Sequence, residues 1–282
     1  MTRAAVPVGP GELLATWEAG LAQHAQGRSL LLHRAARPWA GTDELLSMPV
    51  GEREADLFAL RRALFGERMQ VCVDCASCGE AMEFELDATV LGARASGAGA
   101  PDAERCARTP GAGAPGTEPP GPGARGASGG PLRVEEGEWV IEFRLPTVAD
   151  LAVAGAAADP DEARRALLAR CTVSAVRGGE DVAPERLGEL LPPRVQQRIA
   201  EAAEEADPAA DVTLEVACPE CGRATPAELD IASYLWAELD HWARDLLLDV
   251  HLLATAYGWS EPEILALSPL RRRYYLELCA DA

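Results

Sequence analysis

Two cysteine pairs of identical spacing constrain this chain more than any other feature of its sequence. The copies begin at Cys75 and Cys218, and each reads Cys-x-x-Cys-Gly, followed after five residues by Glu-Leu-Asp. Alternating apolar residues precede both copies, so each predicts a β-strand that runs into a turn carrying the cysteines. The sequence therefore predicts one duplicated knuckle hairpin and not two unrelated pairs.

The spacing of the cysteines favours a zinc site. Two thiolates separated by two residues can reach one ion at about 2.3 Å, and the glycine that follows permits the turn. Four sulfurs close a tetrahedral coordination sphere, so the Zn²⁺ would be structural and its binding free energy would contribute to folding. The predicted ligands are Cys75, Cys78, Cys218 and Cys221.

Other interpretations of the cysteines stay open at this point. Cys72 and Cys75 have the same spacing as Cys75 and Cys78, although only the second choice aligns the glycines of the two copies. Each pair could instead be a hairpin tip with buried or oxidised thiols, or a redox pair, although neither pair follows a clear βαβ pattern. A metalloenzyme would need an open coordination position.

Periodicity and composition divide the chain into five segments. We expect an N-terminal helical segment at 1–40, a helix plus the first hairpin at 41–91, a disordered Gly/Ala/Pro-rich insertion at 92–132, a strand–helix middle segment at 133–210, and the second hairpin plus C-terminal helices at 211–282. The insertion contains Cys106 and has too few large apolar side chains to offset its ordering entropy.

The expected fold class is α+β, predominantly helical, with two short knuckle hairpins that form a split zinc-ribbon-like site. Spacing predicts helices over 11–34, 50–65 and 231–256, and alternation predicts strands over 68–74 and 139–145. Because one ion would hold both knuckles, we expect 41–91 and 133–282 to form one compact unit.

The charge of the chain argues against nucleic acid as its main partner. All 26 basic residues are arginine, and 45 acidic residues give a formal net charge of -19, whereas phosphate binding requires clustered cations. The N-terminal residues lack the apolar run of a secretory signal, and no stretch approaches the ~20 apolar residues of a membrane span. We expect a cytoplasmic protein without membrane insertion.

Sequence signatures of catalysis are missing. The chain contains no HExxH, no glycine-rich phosphate loop and no GxSxG motif. His241 and Asp245 lie one turn apart on the longest predicted helix, where we expect ordinary helix-surface groups. The chain is therefore not expected to be an enzyme.

Aromatic residues are concentrated near the C-terminus. Seven of the ten tryptophans and tyrosines lie at or after Tyr234. Many would belong to the core, but Trp, Tyr and Arg are also enriched at protein interfaces. The interface candidates are Trp242, Tyr257, Trp259, Arg273, Tyr274 and Tyr275.

Three stretches resemble a known family. The sequences Tyr-Gly-Trp-Ser-Glu-Pro-Glu-Ile-Leu-Ala-Leu-Ser-Pro at 257–269 and Arg-Tyr-Tyr-Leu-Glu-Leu at 273–278 are similar to the C-terminal signature of baseplate-hub and tail-assembly proteins. These proteins belong to contractile tails of the T-even phage type and to extracellular contractile injection systems. Phe-Arg-Leu-Pro-Thr at 143–147 with Ala-Asp-Leu at 149–151, and Met-Pro-Val-Gly-Glu-Arg at 48–53 running into Leu-Phe-Gly at 64–66, look like internal landmarks of the same family.

The resemblance covers roughly residues 40–90 and 135–280. It implies a structural or chaperone-like role in assembly of a baseplate hub, with other baseplate or hub proteins as partners and either transient action or incorporation into the particle. The insertion departs from the family's compact pattern. The alternative function is a zinc-ribbon adaptor in transcription or RNA handling, which a basic surface around the knuckles would support and the acidic residues near both hairpins oppose.

Overall fold

The structure is a computed structural model, and it describes residues 9–89 and 130–280. The described residues form an α+β fold in which helices predominate, as the sequence predicted. Most of the predicted insertion at 92–132, including Cys106, lies outside them. The helices are α1 Pro10–Leu21, α2 Ala25–Ala36, α3 Thr42–Ser47, α4 Val50–Phe65, α5 Val148–Gly155, α6 Pro160–Cys171, α7 Leu187–Leu190, α8 Pro193–Ala206, α9 Ile231–Tyr257, α10 Glu261–Leu265 and α11 Pro269–Ala280.

The strands of the described residues form three separate antiparallel sheets. The sheets contain β1 with β2, then β3 to β6 in sequential order, and β7 with β8. A 3₁₀ turn at Pro184–Arg186, between β6 and β7, directly precedes α7. The strands are β1 Arg68–Asp74, β2 Ala81–Asp87, β3 Leu132–Glu136, β4 Trp139–Phe143, β5 Thr172–Arg177, β6 Glu180–Asp181, β7 Thr213–Ala217 and β8 Ala224–Glu228.

Contacts along the chain divide it into two units, which we call the sheet unit and the hairpin unit. The sheet unit contains Leu46–Ala55 and the described part of Asp87–Asp211. The hairpin unit contains the described parts of Ala5–Leu45, Asp56–Leu86 and Val212–Ala282. This grouping differs from the single compact unit expected for 41–91 and 133–282.

Hydrogen bonds to residues distant in sequence explain why the short segment Leu46–Ala55 belongs with the sheet unit. The N–H of Val50 donates to the Pro146 carbonyl at 3.1 Å, and the N–H of Gly51 donates to the Asp207 carboxylate at 2.9 Å. Asp207 thus lies at the first turn of α4, where free N–H groups favour a carboxylate. These partners are distant in sequence, so helical periodicity alone could not reveal the grouping.

The sheet unit is built on an apolar core beneath its four strands. Trp139, Ile141 and Phe143 of β4 point to one side and pack with residues of α7 and α8, among them Leu187 and Val195. Strand β3 was not predicted, and it pairs with β4 through a two-residue turn in which Gly137 has φ +62°. Positive φ favours glycine at that position.

A buried carboxylate organises the chain that follows β4. Asp150 is fully buried and accepts hydrogen bonds from Arg144 at 2.5 Å and from Arg170 at 2.8 Å. It also accepts the backbone N–H of Thr147, which caps α5. Except for Arg170, the members of this cluster lie in the stretch 143–151, where the sequence resembles baseplate-hub proteins.

The hairpin unit has a helical core formed by α1, α2 and α9. The sequence predicted one helix across 11–34, but α1 ends at Leu21 and α2 begins after His24, whose ring accepts the N–H of Gly27 as an N-cap. Gly20 lies directly against the ring of Trp236 on α9. Helix α9 ends at Gly258, which has φ +70°. No helix among the described residues is long and apolar enough to cross a lipid bilayer.

Candidate metal centre

The two knuckle hairpins of the hairpin unit have the same backbone hydrogen bonds. In the first, the N–H of Cys75 donates to the Glu80 carbonyl at 2.8 Å. In the second, the N–H of Cys218 donates to the Arg223 carbonyl at 2.9 Å. The duplication that the sequence predicted is therefore present in the local structure as well.

A glycine ends each knuckle. Gly79 has φ +75° and Gly222 has φ +69°, a left-handed conformation that side chains disfavour. Each glycine N–H donates at 2.9 Å to the carbonyl of the first cysteine in its own knuckle. The turn therefore directs both sulfurs of a pair to one side of the hairpin.

The four predicted cysteines come together. Their sulfur atoms all lie within 4.8 Å of one another, and among the described residues they form the group of side chains that could hold a metal ion. The shortest separations are 3.6 Å from Cys75 to Cys221 and 3.6 Å from Cys78 to Cys218. Sulfurs about 2.3 Å from one tetrahedral ion would lie about 3.8 Å apart, so the arrangement fits a four-thiolate site.

Each close pair joins the first cysteine of one knuckle to the second cysteine of the other. The pairing is what a local two-fold relation between the hairpins would produce. Cys75 and Cys218 are buried, whereas Cys78 and Cys221 are exposed. The site thus has an inner pair of sulfurs packed against Met82 and an outer pair at the surface.

Hydrogen bonds prepare one inner thiol to bind a cation. The backbone N–H groups of Cys78 and Ser77 face the Cys75 sulfur, and the Thr225 hydroxyl donates to it at 3.7 Å. These donors lower the pKa of the Cys75 thiol to about 6. A thiolate is the form that binds metal, so the donors favour occupancy.

The neighbouring thiols oppose further ionisation. The backbone N–H of Glu80 favours the Cys78 thiolate, but the adjacent Cys75 sulfur and burial outweigh it and raise the pKa of Cys78 to about 12. The pKa of Cys221 is raised too, although the N–H of Arg223 acts in the opposite direction. A divalent cation would remove this conflict, because it stabilises all four thiolates together.

Thr225 is a residue that sequence reasoning missed. It is buried, and its counterpart in the first copy is Met82, which is also buried. One signal was available in the sequence, namely a hydroxyl at a strand position where the other copy has an apolar side chain. Only the structure shows that this hydroxyl reaches the Cys75 sulfur on the other hairpin.

The remaining described cysteines lie away from the site. Cys72 is exposed on β1 and does not belong to the four-sulfur group. Cys171 is buried in the sheet unit, where burial raises the pKa of its thiol to about 11. Cys279 is half-buried on α11. The choice of Cys75 over Cys72 as the start of the knuckle agrees with the observed group.

The outward faces of the hairpins are mostly acidic. Two exposed arginines, Arg68 and Arg223, accompany eight exposed carboxylates: Asp74, Glu80, Glu83, Glu85, Asp87, Glu215, Glu220 and Glu228. A surface of this sign repels a phosphate backbone. It does not favour the transcription or RNA-handling alternative.

The predicted interface residues differ in their surroundings. Tyr257, Trp259 and Tyr275 form one aromatic cluster with ring centroids 4.6 to 5.7 Å apart, and Trp259 and Tyr275 are half-buried in it. Trp242 is half-buried on α9. Tyr274 and Arg273 are exposed, and the Arg273 side chain pairs with Glu277 at 3.0 Å.

His241 and Asp245 form an exposed pair on α9. Their side chains lie 3.4 Å apart, with His241 82% and Asp245 65% exposed. Solvent screens such a pair, and no further metal-ligating side chain joins it among the described residues. The pair therefore carries no site.

Comparison of this chain with protein-family models, curated protein sequences and solved structures finds no match in any of the three. The resemblance to baseplate-hub proteins therefore stays a prediction.

Proposed function

We propose that this protein is a non-catalytic, cytoplasmic assembly component, held together by one structural Zn²⁺, that helps to build the baseplate hub of a phage-tail-like contractile injection system. The observation that carries the first part is the group of four cysteine sulfurs within 4.8 Å. The resemblance at 48–66, 143–151 and 257–278 supports the second part. Its partners would be other baseplate or hub proteins, which it meets transiently or within the finished particle.

The choice of zinc follows from the donor set. Four thiolates in a tetrahedral arrangement select zinc or iron, and zinc has no redox chemistry that would require a partner. Four protein ligands leave no position for water or substrate, so the ion would hold structure and not perform catalysis. The two hairpins together would then be a split zinc ribbon, with its halves supplied by distant parts of the chain.

Metal analysis of the purified full-length chain tests the zinc proposal. We expect one zinc per chain by plasma mass spectrometry, and no zinc in a Cys218→Ser variant. A Cys72→Ser variant is the matched control and should retain the zinc. Iron in place of zinc, or a wild-type chain that binds no metal, would overturn this part.

An assembly role is supported by the C-terminal helices. The stacked rings of Tyr257, Trp259 and Tyr275 make a rigid aromatic corner between α9 and α11. Exposed apolar side chains on α9 and α11 surround it in sequence: Leu247, Leu248, Leu252, Leu270, Tyr274 and Leu278. Exposed apolar groups in such number are typical of protein-binding surfaces.

Deletion of 257–282 in the source cells tests the assembly role. We expect the variant to abolish baseplate formation, scored by electron microscopy of sheath-bearing particles. The same cells expressing Leu21→Asp, an exposed change on α1, should form normal particles. Normal particles from the deletion variant would contradict the proposal.

A further inference from the structure

Helix α11 leaves a row of large apolar side chains exposed to solvent, although Tyr275 on its inner side is half-buried. Leu270, Tyr274 and Leu278 are exposed at 65%, 61% and 59%, whereas Arg272 on the opposite side is only 5% exposed. Surface helices normally place apolar residues inward and charges outward. A large apolar stripe facing solvent is a feature of surfaces that another molecule covers.

The exposed side of α11 has an apolar centre and charged borders. Residues four apart fall on one helical stripe, so Leu270, Tyr274 and Leu278 form a continuous row. Helical geometry places Arg271 on one border of this row and Arg273 with Glu277 on the other. Arg273 and Glu277 pair with each other, while Arg271 pairs with no acidic side chain among the described residues.

The inner side of α11 contains a buried arginine whose hydrogen bonds are incomplete. Two guanidinium nitrogens of Arg272, Nε and Nη1, are buried and have no hydrogen-bond partner among the described residues. Burial lowers the pKa of Arg272, and the charge of Asp249 on α9 opposes this effect. Helix α11 therefore gains little from its inner polar contacts, and covering its outer face would stabilise it by removing apolar surface from water.

The protein's own chain offers a poor cover for this stripe. The longest part outside the described residues, 90–129, contains only Val90 and Leu91 as large aliphatic side chains, and no aromatic ones. A second copy of the chain is also poorly matched, because a two-fold contact presents the same arginines to each other. Glu277, the one acidic residue on this face within the described part of α11, is already paired with Arg273.

We propose that the outer face of α11 docks an amphipathic helix of a second protein, whose apolar stripe packs on Leu270, Tyr274 and Leu278 and whose aspartate or glutamate residues border Arg271. A helix laid along an apolar row is a common recognition mode, and the bordering charges would set its orientation. The inference rests on the proposed function in that the second protein would be a hub component.

Photo-cross-linking tests the docking in cells. The full chain, with p-benzoylphenylalanine replacing Tyr274, is expressed in the source organism, and the cross-linked peptides are sequenced by mass spectrometry. We expect one segment of another protein that has apolar residues at helical spacing with acidic borders. The same amino acid at Leu21, also exposed at 48%, is the control and should not capture that segment.

Three outcomes would overturn the proposal. A cross-link to this same chain would show a second copy or residues 90–129 on the stripe. A captured segment without acidic borders would contradict the charge argument. Capture at Tyr274 no greater than at Leu21 would show that nothing docks there.

A synthetic peptide of the captured segment then tests the chemistry by fluorescence anisotropy. Leu278→Asp should weaken its binding at least tenfold, and Arg271→Glu about tenfold, with affinity restored when the peptide's acidic residue is changed to arginine. Leu21→Asp should bind as the wild type does. Circular dichroism of each variant confirms that the fold is retained, and unchanged affinity in Leu278→Asp would refute the proposal.

The two proposals can fail separately. If the captured helix belongs to a protein with no place in the particle, the baseplate function fails while the docking stands. If deletion of 257–282 abolishes particles but Tyr274 captures nothing, the docking fails while the function stands.

Discussion

The sheet unit and the hairpin unit stabilise their short strands in different ways. The sheet of β3 to β6 packs Trp139, Ile141 and Phe143 against α7 and α8, where further aliphatic side chains complete a sizeable core. The two knuckle hairpins share only a small buried cluster of Met82 and two cysteines, with Val73 and Val216 half-buried beside it. The first arrangement is stabilised by a large apolar core, and the cluster shared by the hairpins is much smaller.

The difference shows why the proposed metal would matter more in the hairpin unit than in the sheet unit. A two-stranded hairpin is marginally stable in water, and two of them that share so small a cluster gain little from packing on each other. Small elements without an adequate core commonly rely on metals or disulfides. In the hairpin unit two of the proposed ligands, Cys75 and Cys218, supply most of this cluster.

Removing the metal should have the largest effect, and it tests most directly whether the two units are stabilised differently. Chelation, or the Cys218→Ser variant, should lower the local stability of both hairpins by more than about 3 kcal/mol, because ligation free energy is folding free energy there. Hydrogen exchange should accelerate over 68–87 and 213–228. Exchange over 132–143 should stay slow.

The control for this experiment is Cys72→Ser, which alters an exposed cysteine outside the sulfur group. Its exchange pattern should match that of the wild type in both units. Equal protection of the hairpins with and without metal would show that packing alone holds them.

The second effect concerns the buried carboxylate of the sheet unit. Asp150→Asn should lower the free energy of unfolding by about 2–3 kcal/mol, because Arg144 and Arg170 lose a charged acceptor but are partly exposed and can be rehydrated. Urea denaturation measures this change in the free energy of unfolding. Asp161→Asn, which alters an exposed pair with Arg164, should change stability by less than about 0.5 kcal/mol.

Acid should weaken the same cluster. Burial alone would raise the pKa of Asp150, but hydrogen bonds from Arg144, Thr147 and Arg170 outweigh it and hold the pKa well below its usual range. The folded state therefore binds this proton less readily than the unfolded state. The stabilisation is present above pH ~4 and is lost as pH falls below it, a slope that Asp150→Asn should reduce.

The third effect tests close helix packing in the hairpin unit. Gly20→Ala should destabilise it by about 1–2 kcal/mol, because the added methyl group would overlap the Trp236 ring. Gly11→Ala on the same helix has open space around it and should be neutral or stabilise by less than about 1 kcal/mol. Thermal unfolding distinguishes the two variants. Equal melting temperatures would contradict the close approach of α1 and α9.

The smallest expected effect concerns Thr225, which distinguishes the second hairpin from the first. Thr225→Val removes the hydroxyl that donates to Cys75 and should weaken zinc binding about tenfold, as loss of a group that supports a ligand does. Zinc should also dissociate at higher pH, because the thiol pKa rises and protons compete better. Competition with a chromophoric chelator measures both, and Thr225→Ser should behave as the wild type.

Local features were predictable where neighbours in sequence decide them. The strand at 68–74 and the helix at 50–65 agree with the structure, because alternation and a glycine stop are local signals. Strand β3 was missed, since it lies at the end of a Gly/Pro-rich stretch and has only five residues. The division into two units depends on pairings such as Gly51 with Asp207, which no local pattern reports.

The interface prediction illustrates the same limit. Aromatic enrichment selected Trp259 and Tyr275, which pack against Tyr257, and overlooked Leu270 and Leu278, which face solvent. Composition measures how many apolar groups a helix has. Only the packing of α11 decides which of them are left outside.

The sequence by itself determined the repeat, the spacing of the four cysteines and the glycine that ends each knuckle, because a turn depends on a few consecutive residues. The tertiary structure decided that Cys75 lies beside Cys221, that Thr225 supports the opposite hairpin, and that α11 turns its apolar row to the solvent. These contacts join residues far apart in the chain. Their free energy comes from burial and hydrogen bonding in the folded protein, which no local stretch of sequence contains.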